Sequence, residues 1–332
     1  MKKKIFLTGG AGYVGSRVVP YLINLGYGVT VYDIMYFTDK FLPQNDQNLK
    51  IIQGDIRDTQ KLKESCKGHD YFLHLACISN DASFILDKNL SKSVNFDCFE
   101  PMVLAAKENK IKRFIYASTS SVYGVSEKKN VTEDHPLVPL TDYNELKGLC
   151  EPILERHASE DFEVTTFRPA TVCGYGPRLR LDLTVNILTN HAFFNNKILV
   201  FGGDQLRPNL HILDYCRVTK LLLEAEKSKI HKKIFNVGYQ NKSVLEIANI
   251  VKKTVETYIG NKKNIELEIQ SSNDNRSYHI NSDKIKKELN FEPKHTIEEA
   301  IAELCDFFSK NNKLDTFNDN IYYNVKRLKD LS

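Results

Sequence analysis

The chain has no run of apolar residues approaching the roughly 18 that a membrane-spanning helix needs. Its first apolar run is interrupted at once by Thr8-Gly9-Gly10, so the apolar core of a signal peptide is absent too. Cysteines are few and unpatterned. Cys66, Cys77, Cys98, Cys150, Cys173, Cys216 and Cys305 are odd in number, widely spaced and free of C-x-x-C. That argues against a disulfide framework or a zinc site and for a reducing, cytoplasmic setting. Charge of neither sign is in excess: 46 basic and 42 acidic residues leave a net +4, too small and dispersed for a nucleic-acid partner. The densest basic run, Lys2-Lys3-Lys4, leads straight into an apolar strand and reads as a solvated strand entry. No internal repeat, low-complexity tract or Gly-x-Ser-x-Gly elbow appears. His69, His157 and His191 lack metal-ligand spacing, so no metal is expected.

What is present is an alternation. Short apolar runs at Ile5-Leu7, Val29-Tyr32, Ile51-Ile52, Tyr71-Leu75, Phe114-Tyr116 and Val164-Phe167 alternate with amphipathic stretches. Helices are expected over about 12–25, 92–109 and 142–159. This order implies βαβ units, a Rossmann-type parallel sheet with helices on both faces. The near-continuous apolar character of the strands fits burial on both sides. After Arg168-Pro169 the pattern loosens, with Gly174, Gly176, Pro177, Gly202, Gly203 and Pro208 as punctuation. Residues 1–170 are expected to form the dinucleotide-binding domain and 171–332 mainly a smaller substrate lobe, with a strand at 234–237 returning to the sheet. Further helices are expected at 243–259, 283–289 and 296–308.

Leu7-Thr8-Gly9-Gly10-Ala11-Gly12-Tyr13-Val14-Gly15 follows the first strand and opens the first helix. Gly9 permits the tight turn, Gly12 lets the backbone approach a pyrophosphate, and Gly15 lets helix and strand pack closely. The helix N-terminus offers unpaired N–H groups and a favourable dipole to phosphates. Asp33 ends the second strand about 20 residues on, where an acid accepts from ribose hydroxyls and repels a 2′-phosphate. No arginine follows it closely, which favours NAD over NADP.

Tyr143 and Lys147 form a Tyr-x-x-x-Lys pair on one helix face. A lysine charge near the phenol is expected to lower its pKa from about 10 towards neutrality. A phenolate can take the proton from a substrate hydroxyl while the carbon gives hydride to NAD.

The spacing Gly-x-x-Gly-x-x-Gly, together with Tyr143 and Lys147, resembles the short-chain dehydrogenase/reductase family. Gly54-Asp55-Ile56-Arg57-Asp58 and His74-Leu75-Ala76 resemble segments of its extended branch that lie along the adenine and the cofactor. The resemblance implies cofactor contacts from Tyr13, Val14, Asp55, Ile56, Leu75, Ala76, Asn95, Lys147 and Ala170. Tyr116 to Gly124 resembles the active-site strand of nucleotide-sugar epimerases and dehydratases, and places Thr119 on the catalytic Ser/Thr position. The dehydratases carry Asp-Glu at the next two positions. Ser120 and Ser121 stand here and cannot act as carboxylate acid/base groups, so dehydration and decarboxylation are disfavoured.

Arg168 to Arg178 resembles the segment that crosses from sheet to substrate lobe, with Thr171 where many members carry Asn. Arg178 and Arg180 are candidates for a nucleotide diphosphate, since guanidinium forks suit phosphate oxygens. By the resemblance, Ser79, Ser120, Ser121, Thr171, Arg207 and Arg276 join them on the substrate side. Residues 76–81 and 178–183 resemble a subgroup that makes bacterial surface polysaccharides, including enzymes oxidising C4 of GDP-heptose.

The expected function is NAD-dependent oxidation at C4 of a nucleotide-diphosphate sugar, as 4-epimerase or net dehydrogenase. Rival readings are a non-catalytic NAD-binding sensor and a reductase of a small ketone. Thr119, Tyr143 and Lys147 argue against the first, and the arginines argue against the second. The resemblance also implies a homodimer built on the helices that carry Asn95 and Tyr143.

Overall fold

The computed structural model describes every residue except 1, 127, 129, 261–263, 273–276 and 332. Seven strands form one parallel sheet: β1 (Lys4–Thr8), β2 (Gly28–Asp33), β3 (Leu49–Gln53), β4 (Tyr71–His74), β5 (Arg113–Ala117), β6 (Glu163–Pro169) and β7 (Lys233–Val237). Their order is β3-β2-β1-β4-β5-β6-β7. The chain runs outward from β1 in one direction and then, from β4, in the other. That reversal opens a crevice beyond the strand ends, where open α/β sheets bind ligands.

Alternation along the strands sends side chains into two cores. Ile5, Leu7, Val29, Val31 and Leu73 pack with α1 (Tyr13–Asn24) and with Tyr215, Val218 and Leu222 of the helix Ile212–Glu224. Phe6, Tyr32, Phe72 and Phe114 face the other way, against α2 (Phe99–Glu108) and α3 (Asp142–Arg156). Every residue of β4 and β5 is buried, which explains the apolar runs Tyr71–Leu73 and Phe114–Ala117.

Two small sheets build the rest. One joins Thr171–Cys173, Leu206–His211 and Gln240–Ser243, and the other joins Lys197–Phe201 and Glu266–Gln270. A further apolar cluster brings Leu179, Leu181, Leu304, Phe308, Ile321, Tyr322 and Tyr323 together with Phe37 and Phe41. It ties the loop after β2 to residues far along the chain.

One feature departs from the sequence expectation. The helix expected over 92–109 is broken into Lys88–Lys92, a π-turn at Ser93–Asp97 and α2. The wider turn carries Asn95, whose amide bonds both backbone groups of Ile78; such bulges recur at functional sites. The strand expected at 234–237 returns to the sheet as β7 beside β6, and the helix Ile212–Glu224 before it also packs on α1, so 212–237 belongs to the sheet unit.

Candidate active site

A cleft of about 710 Å³ opens over the C-terminal ends of β1, β4, β5 and β6. Gly9, Gly12, Tyr13, Val14 and Gly15 form one wall. Gly9 has φ +82°, and a Cβ there would lie 2.5 Å from the Ala76 nitrogen, so the turn presses against the end of β4. A Cβ on Gly15 would lie 2.4 Å from the Gly9 carbonyl oxygen, which is why α1 can start so close to the strand. No side chain caps the N-terminus of α1. Its first-turn N–H groups therefore stay available to an anion.

Asp33 accepts from the Ala11 N–H at 2.9 Å and the Met35 N–H at 2.8 Å, which sets the carboxylate against the glycine turn. Burial pushes its carboxyl up, against the pull of those two bonds and of Arg178. Asp55, Ile56, Leu75, Ala76 and Ala170 line the cleft beyond it. Asp55 is held by Arg57, whose Nε lies 3.0 Å from both carboxylate oxygens, and that pairing lowers its pKa against the effect of burial.

At the other end stand Thr119, Tyr143 and Lys147. Thr119 caps the short turn Ser120–Tyr123 and accepts from the Ser121 N–H at 3.2 Å. The Ser121 hydroxyl donates to Asn144 Oδ1, so the Thr119 hydroxyl at 2.8 Å must donate to Ser121 Oγ. One lone pair on Thr119 is left to receive a ligand hydroxyl. Tyr143 and Lys147 lie one turn apart on α3, started by the Thr141 cap. Lys147 is buried and donates to the Ala117 carbonyl at 2.6 Å, with its ammonium 4.5 Å from the Tyr116 ring centre.

The expected lowering of the Tyr143 pKa by Lys147 does not appear in this protein-only site. Burial pushes the phenol up, Cys77 and Asp81 add to the rise, and the cation that opposes it is Arg180. Lys147 is instead turned toward the end of β5.

Such a cleft invites comparison with known proteins. The sequence profile of the NAD dependent epimerase/dehydratase family matches residues 5–238. This chain belongs to that family. The low-salt glycan biosynthesis protein Agl12 of Haloferax volcanii is 26% identical over 313 residues, 92% of this chain and 98% of its own length. A dTDP-glucose 4,6-dehydratase of Streptomyces niveus is 25% identical, and 93% of each chain is covered. The crystal structure of a Thermotoga maritima UDP-glucose 4-epimerase with UDP-glucose is 26% identical, with TM-score 0.79 over 93% of this chain and 99% of that one. Like the family, the chain is an NAD-dependent enzyme with a Rossmann-like fold. The uncapped α1 N-terminus, the tight glycine turn and Asp33 fit that dinucleotide. Among the described residues, no helix is long and apolar enough to cross a membrane, and no cluster of metal-ligating side chains occurs.

The remaining site residues divide. Ser79, Ser120, Ser121, Thr171, Arg178, Arg180 and Arg207 all line the cleft of this epimerase/dehydratase-family chain, whereas Arg276 lies outside the described residues. Asn95 does not line it. Its amide is spent on Ile78 and so fixes the wall from Cys77 to Ser79 from behind. Arg178 is only 1% exposed and lies beside the cofactor wall: its N–H donates to Ser16 Oγ of α1, and Asp33 acts on its charge. Arg180 pairs with Asp182 and donates to Ser79 Oγ at 3.0 Å, on the Tyr143 side. Arg207 donates to the Leu206 carbonyl and lies over the Tyr278 ring, on the central strand of the three-stranded sheet.

Sequence reasoning missed Phe37, Asn144, Asp182 and Asn324, all of which line the cleft. Asn144 and Asp182 sit inside motifs already singled out and could have been noticed there. Phe37 and Asn324 carry no local signal.

Proposed function

We propose that this enzyme oxidises the C4 hydroxyl of a nucleotide-diphosphate sugar, as a 4-epimerase or a net 4-dehydrogenase in surface polysaccharide synthesis. The observation that carries this reading is one continuous cleft with a glycine turn at one end and Thr119, Tyr143 and Lys147 at the other. NAD supplies the hydride acceptor at C4. Tyr143 takes the hydroxyl proton as the carbon is oxidised. Thr119 stands beside that hydroxyl, and Ser121 and Asn144 hold Thr119 in place. Lys147 lies on the floor of the site, locked by the Ala117 carbonyl.

Ser120 and Ser121 favour simple redox chemistry over elimination, because neither can remove a proton as a carboxylate or donate one to a departing hydroxyl. A dTDP-glucose dehydratase among the relatives makes this a point to test. In this reading Arg180, Ser79, Thr171 and Arg207 face the nucleotide sugar, whereas Arg178 serves the cofactor half. Residues 1–170 with 212–237 form the NAD-binding unit, and the rest is mainly the substrate lobe. The seven free thiols fit a cytoplasmic setting. Leu104 on α2 and Leu149 on α3, 39% and 45% exposed, offer the apolar face of a homodimer that light scattering would detect.

The protein would be mixed with NAD and a panel of UDP-, GDP- and dTDP-sugars that includes GDP-heptose. NADH is followed by absorbance and the sugar by NMR. Accumulating NADH or a 4-keto sugar that keeps its C6 hydroxyl marks a dehydrogenase, and a C4 epimer without net NADH marks an epimerase. A 4-keto-6-deoxy product overturns the exclusion of dehydration.

A further inference from the structure

The strongest feature left unused is a buried cation without a counter-ion. Arg178 is fully enclosed, and its guanidinium lies flat over the Phe37 ring, 3.6 Å from its centre. Its Nε–H has no hydrogen-bond partner among the described residues, and none of their carboxylates pairs with it. Burial and the neighbouring Arg180 push its pKa down to about 9. A buried unpaired charge costs several kcal/mol, so a site that keeps one is poised for an anion. Arg178 stands beside the first turn of α1, where the uncapped N–H groups call for the same kind of ligand.

Among the described residues, the side chain that hydrogen-bonds this guanidinium comes from a distant part of the chain. Asn324 opens the helix Asn324–Leu331 and accepts from Arg178 Nη2 at 2.7 Å. Its backbone N–H donates to Asp182 at 2.9 Å, and its amide nitrogen donates to Ser79 Oγ at 3.0 Å. One turn on, Arg327 Nε donates to the Tyr36 carbonyl at 2.7 Å and so pins the loop that carries Phe37. Just before the helix, the Tyr322 carbonyl accepts from the Leu181 N–H, and Ile321, Tyr322 and Tyr323 pack in one cluster with Phe37, Leu179 and Leu181. The segment is thus a strap across the cofactor side of the cleft.

We propose that Asn324 is a positioning residue for the cofactor, holding Arg178 against the diphosphate of NAD, while Arg327 clamps the loop that closes over the same group. The inference rests on NAD as cofactor and not on the sugar chemistry proposed above. Its test therefore measures binding without any sugar, and a failure of either reading is visible separately.

Titration calorimetry on the full-length protein would give the dissociation constants of NAD and, separately, of UDP and GDP. Asn324→Ala is expected to raise the NAD constant about tenfold, with a nucleoside-diphosphate constant within about twofold and a melting temperature within about 4 °C of the parent. An NAD constant within about twofold of the parent's overturns the proposal. Parallel weakening of NAD and of the nucleoside diphosphate, with a large fall in melting temperature, also overturns it, since the strap is then only structural support. Should Asn324→Ala fail to fold, Arg327→Ala decides. That variant touches one carbonyl on the loop and is expected to raise the NAD constant about threefold, and an unchanged constant overturns the clamp.

Discussion

The glycine turn and Asp33 come from residues close together in the chain, whereas the opposite end draws Ser79, Thr119, Tyr143 and Arg180 from segments far apart. The first is mostly backbone: a left-handed Gly9, an uncapped helix start and a carboxylate fixed by two N–H groups. The second is mostly side chains held by other side chains, as in the Thr119–Ser121–Asn144 chain and the Arg180–Ser79 pair. Backbone geometry leaves few ways to build a diphosphate cradle, so it recurs with one spacing. Side-chain cages can be built in many ways, and there specificity can change without disturbing the fold.

The largest way to separate the two halves is Tyr143→Phe. Turnover of the productive sugar is expected to fall about 1,000-fold, while NAD binding stays the same, because the phenol is used only in proton transfer. Single-turnover kinetics and calorimetry would show this, and equal loss in both would merge the halves. Next comes Gly15→Val. Its Cβ would press on the Gly9 carbonyl, which cannot move without opening the turn. About 1–3 kcal/mol of stability and most NAD affinity should be lost, read by thermal melting and titration. Asp33→Asn is milder. It keeps the shape but drops the charge, so NAD should bind about tenfold more weakly and the preference over NADP should narrow.

The smallest effect crosses between the halves. Arg180 is a cation that opposes the rise that burial causes in the Tyr143 pKa. Removing it in Arg180→Gln raises the phenol pKa further, so the phenolate fraction at any given pH falls. The acid limb of the kcat/KM profile should move to higher pH. A profile that stays in place would return that role to Lys147.

How far each half was legible follows from the same difference. The glycine turn, Asp33 and the buried strands could be read because the cause of each lies within a few residues of it. Tyr143 and Lys147 were legible from helical spacing, but their electrostatics were not. Lys147 turns to the Ala117 carbonyl, and Arg180 supplies the opposing charge. The π-turn at Asn95 escaped notice because a wider helical turn leaves no mark on an apolar pattern. Arg178 looked like a substrate residue beside Arg180. The Arg178 backbone N–H bonds Ser16 of α1 and its guanidinium bonds Asn324, whereas Arg180 bonds Asp182 and Ser79. Asn324 could not be found at all, since its partners are set by tertiary packing alone.

The most direct test of the central claim is the fate of deuterium placed at C4 of a nucleotide-diphosphate sugar that the panel shows to be turned over. Rapid quenching of a single turnover, followed by mass spectrometry of the cofactor, reads where the label goes. The expected result is deuterium on the reduced cofactor within one turnover of the parent protein and none with Tyr143→Phe. A product that forms with the label still at C4 in its original configuration and the cofactor unlabelled throughout would contradict oxidation at that carbon.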